Sequence, residues 1–292
     1  MSLFAPHLRR SLRCSDDFRA LRRAGVTAVV EPASFPGRLL SDGDGVEDQA
    51  ATLLGWERFR AGLFGVRHHA ALCLDPREET ELGLGRLHRY LKLDGVVAVG
   101  EIGVESLAPE EERRLSSQLD LARRHKLPAW LRVPASSTTE SQRQLVTRLL
   151  SVVEDAGLCT SRVVLGNLDA ESARLVLDAD AWASCPISFD SSEDARRSLS
   201  LVRCFGDESL LVDGGPGGLL SAPRLAARLR DHGLGDSWID TLFWQNPIRF
   251  FAESGRLAVV GNTPAVQASE SLDEPPSYFG ARAGRAHAPM LR

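Results

Sequence analysis

Side chains able to hold an anion, a proton or a metal collect where short apolar runs of this chain end. Phe4-Ala5-Pro6-His7-Leu8-Arg9 closes one run with an imidazole and a guanidinium two positions apart, and Val97-Ala98-Val99-Gly100-Glu101-Ile102-Gly103 brings another to a carboxylate. The run Ala129 to Val133 carries Arg132, Val163 to Asn167 ends on Asn167, and Leu210 to Asp213 runs into Gly214-Gly215-Pro216-Gly217-Gly218. A carboxylate such as Glu101 serves as a general base, guanidiniums neutralise an oxyanion, and a glycine-rich loop offers backbone N–H groups to phosphate. Each group also has a plainer reading. Glu101 pairs with Arg9 or Arg132 as a buried ion pair, His7 is a satisfied interior histidine, Asn167 serves its loop's backbone, and the glycines make a turn.

Competing chemistries lack their residues. The chain has no G-x-S-x-G elbow, no phosphate-binding G-x-x-x-x-G-K-[ST] and no G-x-G-x-x-G after the first run. The five cysteines, Cys14, Cys73, Cys159, Cys185 and Cys204, show no C-x-x-C spacing and read as buried thiols. His68 and His69 are adjacent, so in a strand they point to opposite faces and do not chelate together. His88, His125 and His232 fall on expected helix exteriors.

The elements that position these groups alternate. Eight β-rich runs, Leu3 to His7, Val26 to Glu31, Val66 to Leu74, Val96 to Glu101, Ala129 to Val133, Val163 to Asn167, Ala181 to Phe189 and Leu210 to Asp213, are separated by polar segments of helical period. The expected helices are 16–24, 46–64, 79–92, 109–125, 140–156, 170–178, 192–205 and 223–232. Pro109 before Glu110, Glu111 and Glu112 suits a helix start, and Gly25, Gly157 and Gly233 suit helix stops. Eight units between Leu3 and Arg256 come to about 32 residues each, the size of one strand, one helix and two loops. The fold class is therefore α/β, a (β/α)8 barrel, with an open doubly wound sheet as the alternative. Residues 238–254 predict a closing helix that caps the barrel wall. The barrel is assigned to residues 1–258 and a mobile or irregular Pro/Gly/Ala-rich tail to 259–292.

At 292 residues, 43% apolar and 25% charged, the composition is globular. With 35 Lys+Arg against 39 Asp+Glu the net charge is -4, so no global field draws the chain to nucleic acid or an anionic membrane, and any such binding must be local. The longest apolar runs fall far short of the roughly 20 residues that span a bilayer. Residues 1–13 lack the apolar stretch of a secretory signal, so a cytoplasmic location is expected.

The segment Val97 to Gly103 resembles the V-x-x-[IV]-G-E-[IT]-G strand of the TatD-like metal-dependent hydrolases, and Asn246-Pro247-Ile248-Arg249-Phe250-Phe251 resembles that family's C-terminal N-x-x-x-[FL]-F signature. The resemblance extends through most of the chain and implies an amidohydrolase-type barrel. It also implies one or two divalent metals (Zn, Mn or Mg) held by an H-x-H pair after the first strand, Glu after the fourth, His after the fifth and sixth, and Asp after the eighth. Here His7 and Glu101 match. The second histidine falls on Arg9, the fifth-strand histidine on Arg132, the sixth-strand histidine on Asn167, and the aspartate on Gly215 or Gly217, with Asp213 as a substitute after a slip of two residues.

His7, Glu101 and Asp213 would leave a reduced site, and two guanidiniums would oppose a cation where metal is otherwise attracted. Three readings follow. The first is a TatD-like barrel without metal catalysis or cofactor that binds an anionic small molecule, or a pathway partner, through Arg9, Arg132, Asn167, Gly214 and Gly215. The second is an active enzyme, either a metal-dependent hydrolase of a phosphoester or related bond with a reduced site (His7, Glu101, Asp213) or a metal-free one with Glu101 as general base and the arginines as oxyanion stabilisers. The third is a pure interaction protein. No specific nucleic acid and no membrane are expected as partners.

Overall fold

A computed structural model describes residues 2–6, 8, 14–33, 44–75, 81–134, 138–186, 192–206, 209–213 and 218–258. Eight parallel strands follow one another around the sheet in chain order: β1 Leu3–Ala5, β2 Val26–Pro32, β3 Arg67–Leu72, β4 Val96–Gly103, β5 Ala129–Arg132, β6 Val163–Gly166, β7 Trp182–Pro186 and β8 Leu210–Asp213. This is the (β/α)8 barrel. All pairs are parallel, with register shifts between β1 and β2, β3 and β4, and β4 and β5, and Arg132 lies beside Gly166 and Gly166 beside Ser184, so three strands bring these positions to one level.

The helices are α1 Ser15–Arg23, α2 Asp44–Ala50, α3 Arg58–Leu63, α4 Glu81–Tyr90, α5 Pro109–His125, α6 Thr139–Asp155, α7 Ala170–Asp178, α8 Ser192–Phe205, α9 Ser221–Asp231, α10 Asp236–Asp240 and α11 Asn246–Ala252. Local chemistry sets their ends. The Thr138 hydroxyl accepts from the Ser141 N–H and the Asp169 carboxylate from the Ser172 N–H, satisfying the first donors of α6 and α7. Gly25 and Gly157, with φ of 89° and 69°, take the left-handed backbone that stops α1 and α6. Two helices depart from a plain α period: residues 51–57 join α2 to α3, and 241–245 join α10 to α11, through π-helical turns.

Side chains of the sheet divide between two cores. Outward residues such as Val29, Leu72 and Leu165 pack under the helices, while Phe4, Ala28, Val30, Trp130, Val164, Trp182 and Leu211 fill the interior. Phe250 and Phe251 of α11 join that interior, with Phe251 ring centroids 5.8 Å from Phe4 and 5.9 Å from Trp130. The closing segment thus covers the barrel wall with Ile239, Leu242 and Phe243, as expected, and its last turns also plug the interior. Its apolar stripe continues past Phe243 into two aromatic rings that only the interior can bury.

His68 and His69 take opposite faces as alternation requires. His68 points under the helices, its Nε2 3.0 Å from Glu31, beside Phe18 of α1. His69 is buried, and the Ala258 backbone approaches its ring without completing a hydrogen bond. His88 and His125 are not simply solvated: the Nε2 of His125 stands 2.9 Å from the Nδ1 of His88, because α4 and α5 are neighbours in the ring and half-bury each other's flanks. The cysteine expectation fails at three positions. Cys73 is buried, but Cys14, Cys159 and Cys204 are exposed, since each sits at a helix end or loop instead of on a packed face. The side chain of Cys185 and the tail 259–292 lie outside the described residues.

Candidate functional site at the barrel mouth

Strands of a (β/α)8 barrel open their C-terminal ends onto one mouth. At that end Arg132 Nε lies 3.7 Å from Glu101 Oε2. The two differ in exposure: the Glu101 side chain is 7% exposed and that of Arg132 is 49% exposed. The carboxylate is therefore part of the floor, while the guanidinium has a free side toward solvent.

Two glycines make this arrangement fit. A Cβ on Gly103 would stand 3.0 Å from Arg132 Nη2, so the guanidinium occupies space that any other residue would fill. A Cβ on Gly100, whose φ is 151°, would stand 2.7 Å from both the Trp130 Cβ and carbonyl oxygen. The glycines of the G-E-I-G segment are thus explained by contact with β5.

Asn167 follows β6 directly, with a left-handed φ of 65°, a conformation asparagine tolerates. Its Nδ2 donates to the Val133 carbonyl at 2.8 Å, and its own carbonyl accepts from Gln142 Nε2 at 3.2 Å. The side chain ties the end of β6 to the end of β5. Asp213 closes β8, but its side chain lies outside the described residues, as do His7, Arg9, Gly214 and Gly215 altogether.

Sequence reasoning passed over three neighbours. The Cys73 thiol donates to the Glu101 carbonyl at 3.3 Å, and burial pushes that thiol well above its ordinary range, reinforced by Glu101 and Asp75. It is held protonated and is no nucleophile. Trp130 Nε1 and Ser184 Cβ stand 3.4 and 3.6 Å from where a Cβ on Gly166 would be, so both border the gap that this glycine leaves. The parity of Trp130 with Arg132, and of Trp182 with Ser184, was the available signal.

The described strand ends do not fit a divalent cation. No group of three or more His, Cys, Asp or Glu converges among the described residues. Glu101, the carboxylate matching the family pattern, has a guanidinium beside it, and the Asn167 amide nitrogen is engaged with backbone. What the described residues present at this point is one half-exposed guanidinium beside one buried carboxylate. A half-exposed arginine keeps donors for a carboxylate or phosphate, and Glu101 fixes its inner edge.

No family model matches the chain. The chain is 19% identical over 251 residues, covering 84% of it and 98% of the relative, to an uncharacterised metal-dependent hydrolase of Methanocaldococcus jannaschii. Among solved structures it is similar to a TatD-like protein from Archaeoglobus fulgidus, with a TM-score of 0.68 and 23% identity over 85% of this chain and 99% of the other. A lactonase from Listeria monocytogenes matches at TM-score 0.58 and 13% identity, over 86% and 94% of the two chains.

Proposed function

We propose that this chain, which has the fold of the TatD-like metal-dependent hydrolases, has given up metal catalysis and binds a small anionic molecule at its barrel mouth. The observation that carries the reading is Arg132. It stands where the resemblance calls for a metal-binding histidine, reaches Glu101 at 3.7 Å, and keeps half its side chain open to solvent. A fixed positive charge at that point attracts the same anionic groups that a metal attracts, without supplying a Lewis acid or a bound hydroxide. Arg9, Gly214 and Gly215 are proposed to complete the anion site from neighbouring strand ends, with Asn167 holding the β5 and β6 edge in place. Glu101 balances Arg132 and orients it. No helix of the described residues is long and apolar enough to cross a membrane.

Metal analysis of protein purified without added metal, next to calorimetric titration with inorganic phosphate and small dicarboxylates, tests the reading. Less than about one equivalent of metal per ten chains is expected, together with anion binding that weakens in Arg132→Gln. Stoichiometric zinc or manganese with phosphodiester turnover lost in Glu101→Gln would establish the alternative, an active hydrolase with a reduced site.

A further inference from the structure

All five large apolar side chains that stand exposed among the described residues, Trp56, Phe59, Leu63, Leu82 and Leu93, belong to the stretch from the π-helical entry of α3 to the turn after α4. Elsewhere among the described residues the large apolar groups are buried or partly buried. Trp56, Phe59 and Leu63 follow one another at helical spacing along a single outward face, and their rings and branches are half exposed at 50%, 45% and 55%. The other exposed positions between residues 52 and 63 are Thr52, Gly55 and Gly62, which carry no charge, and the exposed acids Glu47 and Asp48 of α2 stand one turn before them, away from Leu63. A Cβ on Gly55 or Gly62 would meet nothing within 4 Å, which makes the face a ridge standing in open space and not a groove.

Cations flank the ridge on both sides. Helices of the barrel run against the strands, so the last turns of α1, α3 and α4 share the base with the starts of β3 and β4. The Nε of Arg22, at the end of α1, lies 3.5 Å from where a Cβ on Gly65 would be, two residues past Leu63. On the other side Arg58 Nη1 donates to the Asp94 carbonyl at 2.7 Å, which places the exposed Leu93 beside α3. Arg22 and Arg23 in the last turn of α1, Arg89 in the last turn of α4, Lys92 just after it and Arg67 at the start of β3 belong to the same end of the barrel as Leu63 and Leu93, and all are exposed. Asp94 shares that end, whereas the acids of α1 and α4, Asp16, Asp17 and Glu81, lie in their first turns at the opposite end. Glu47 of α2 is engaged by the Tyr90 hydroxyl. Trp56 is supported from below by Arg60, whose guanidinium lies 5.8 Å from the ring centroid and pairs with the buried Glu57 at 2.7 Å.

We propose that this edge of the barrel wall docks on an anionic lipid surface, with Phe59, Leu63 and Leu93 entering the headgroup region and the arginines and Lys92 holding lipid phosphates and carboxylates. A convex ridge of Trp, Phe and Leu bounded by arginines suits a soft interface that moulds around protruding groups. A nucleic-acid backbone has no use for exposed leucines. The whole-chain charge of -4 conceals the feature, because bilayer binding depends on the charges within about a Debye length of the surface and not on the sum. The proposal is independent of the anion site, which opens at the far end of the barrel.

Co-sedimentation of the full chain with vesicles tests it, using phosphatidylcholine alone and with about 30 mol% phosphatidylserine, at about 50 and 500 mM NaCl. Binding is expected on the anionic vesicles at low salt, at least about tenfold weaker on neutral ones, with a blue shift of tryptophan fluorescence. Phe59→Ser/Leu63→Ser and Arg22→Glu/Arg23→Glu should each weaken it by about tenfold or more while melting like the parent. No binding to anionic vesicles overturns the proposal. So does a stable dimer that dissociates in Phe59→Ser/Leu63→Ser, or equal retention on double-stranded DNA, since either outcome gives this face to a different partner.

Discussion

Arg132 and Gly103 share one volume: the guanidinium Nη2 lies 3.0 Å from where a Cβ on residue 103 would project. The last position of β4 and the last position of β5 are paired in the sheet, so neither withdraws without opening the ladder. The placement of the arginine therefore depends on a glycine that itself touches no ligand.

Gly103→Ala is expected to displace the Arg132 guanidinium and weaken phosphate binding by about tenfold, with a stability loss of about 1 kcal/mol, since the far end of a long side chain gives way more cheaply than backbone. Calorimetric titration beside urea unfolding separates the two. A variant that binds phosphate like the parent shows that the guanidinium position is not what holds the anion.

Glu101→Gln removes the negative neighbour of Arg132 and should tighten anion binding by several-fold, whereas Arg132→Gln should lose it and destabilise the fold by about 1 kcal/mol for a half-exposed pair. Phosphate titrations of both variants give the comparison. Weaker binding in Glu101→Gln would mean that the carboxylate contacts the ligand directly.

His69 supplies a pH dependence. Burial lowers its pKa from 6.5 to about 4, so the folded protein keeps this ring neutral while the unfolded chain already binds a proton. Its contribution is whole above about pH 6.5 and is lost as pH falls toward about 4, amounting to roughly 3 kcal/mol. Urea unfolding of the parent and of His69→Leu across that range should give a flatter profile for the variant. Identical slopes would assign the acid sensitivity to another group.

Restoring ligands is expected to be cooperative. Arg9→His, Arg132→His, Asn167→His and Gly215→Asp together should raise zinc affinity far more than any one change. Coordination needs several donors at once, and each remaining guanidinium opposes a divalent ion by roughly 8 kcal/mol at 4 Å for an effective dielectric near 20. Small additive gains in calorimetry would show that these positions do not share a site.

Much of the barrel was legible because each strand is a dense apolar run and many helix ends carry their own chemistry. Pro109 to His125 and Ser192 to Phe205 match their observed bounds, and the run 181–189 is strand over Trp182–Pro186, with 187–189 outside the described residues. The π-helical turns at 51–57 and 241–245 leave no mark in composition, so each was read within one continuous helix. At the mouth the pairing of Glu101 with Arg132 follows from strand order alone. Strand parity alone puts Trp130 on the inward face beside Gly166, whereas the contact of Cys73 with Glu101 depends on a side chain crossing between strands, which no periodicity encodes. The His88 and His125 pair was missed for the same reason: two helix flanks meet that each look solvent-facing alone.

The aromatic plug has a kinetic meaning. Phe4 stands on the first strand and Phe251 on the last helix, so the interior is sealed by the two extremes of the barrel. A chain leaving the ribosome can assemble β1 through β7 with their helices, yet the inward faces of Phe4, Trp130 and Trp182 stay without their final cover until α11 emerges. During that interval the nascent barrel presents a wet aromatic pit at its base. Interruption of synthesis short of Phe250 would leave a product with that pit permanently open, a ready target for chaperones and proteases.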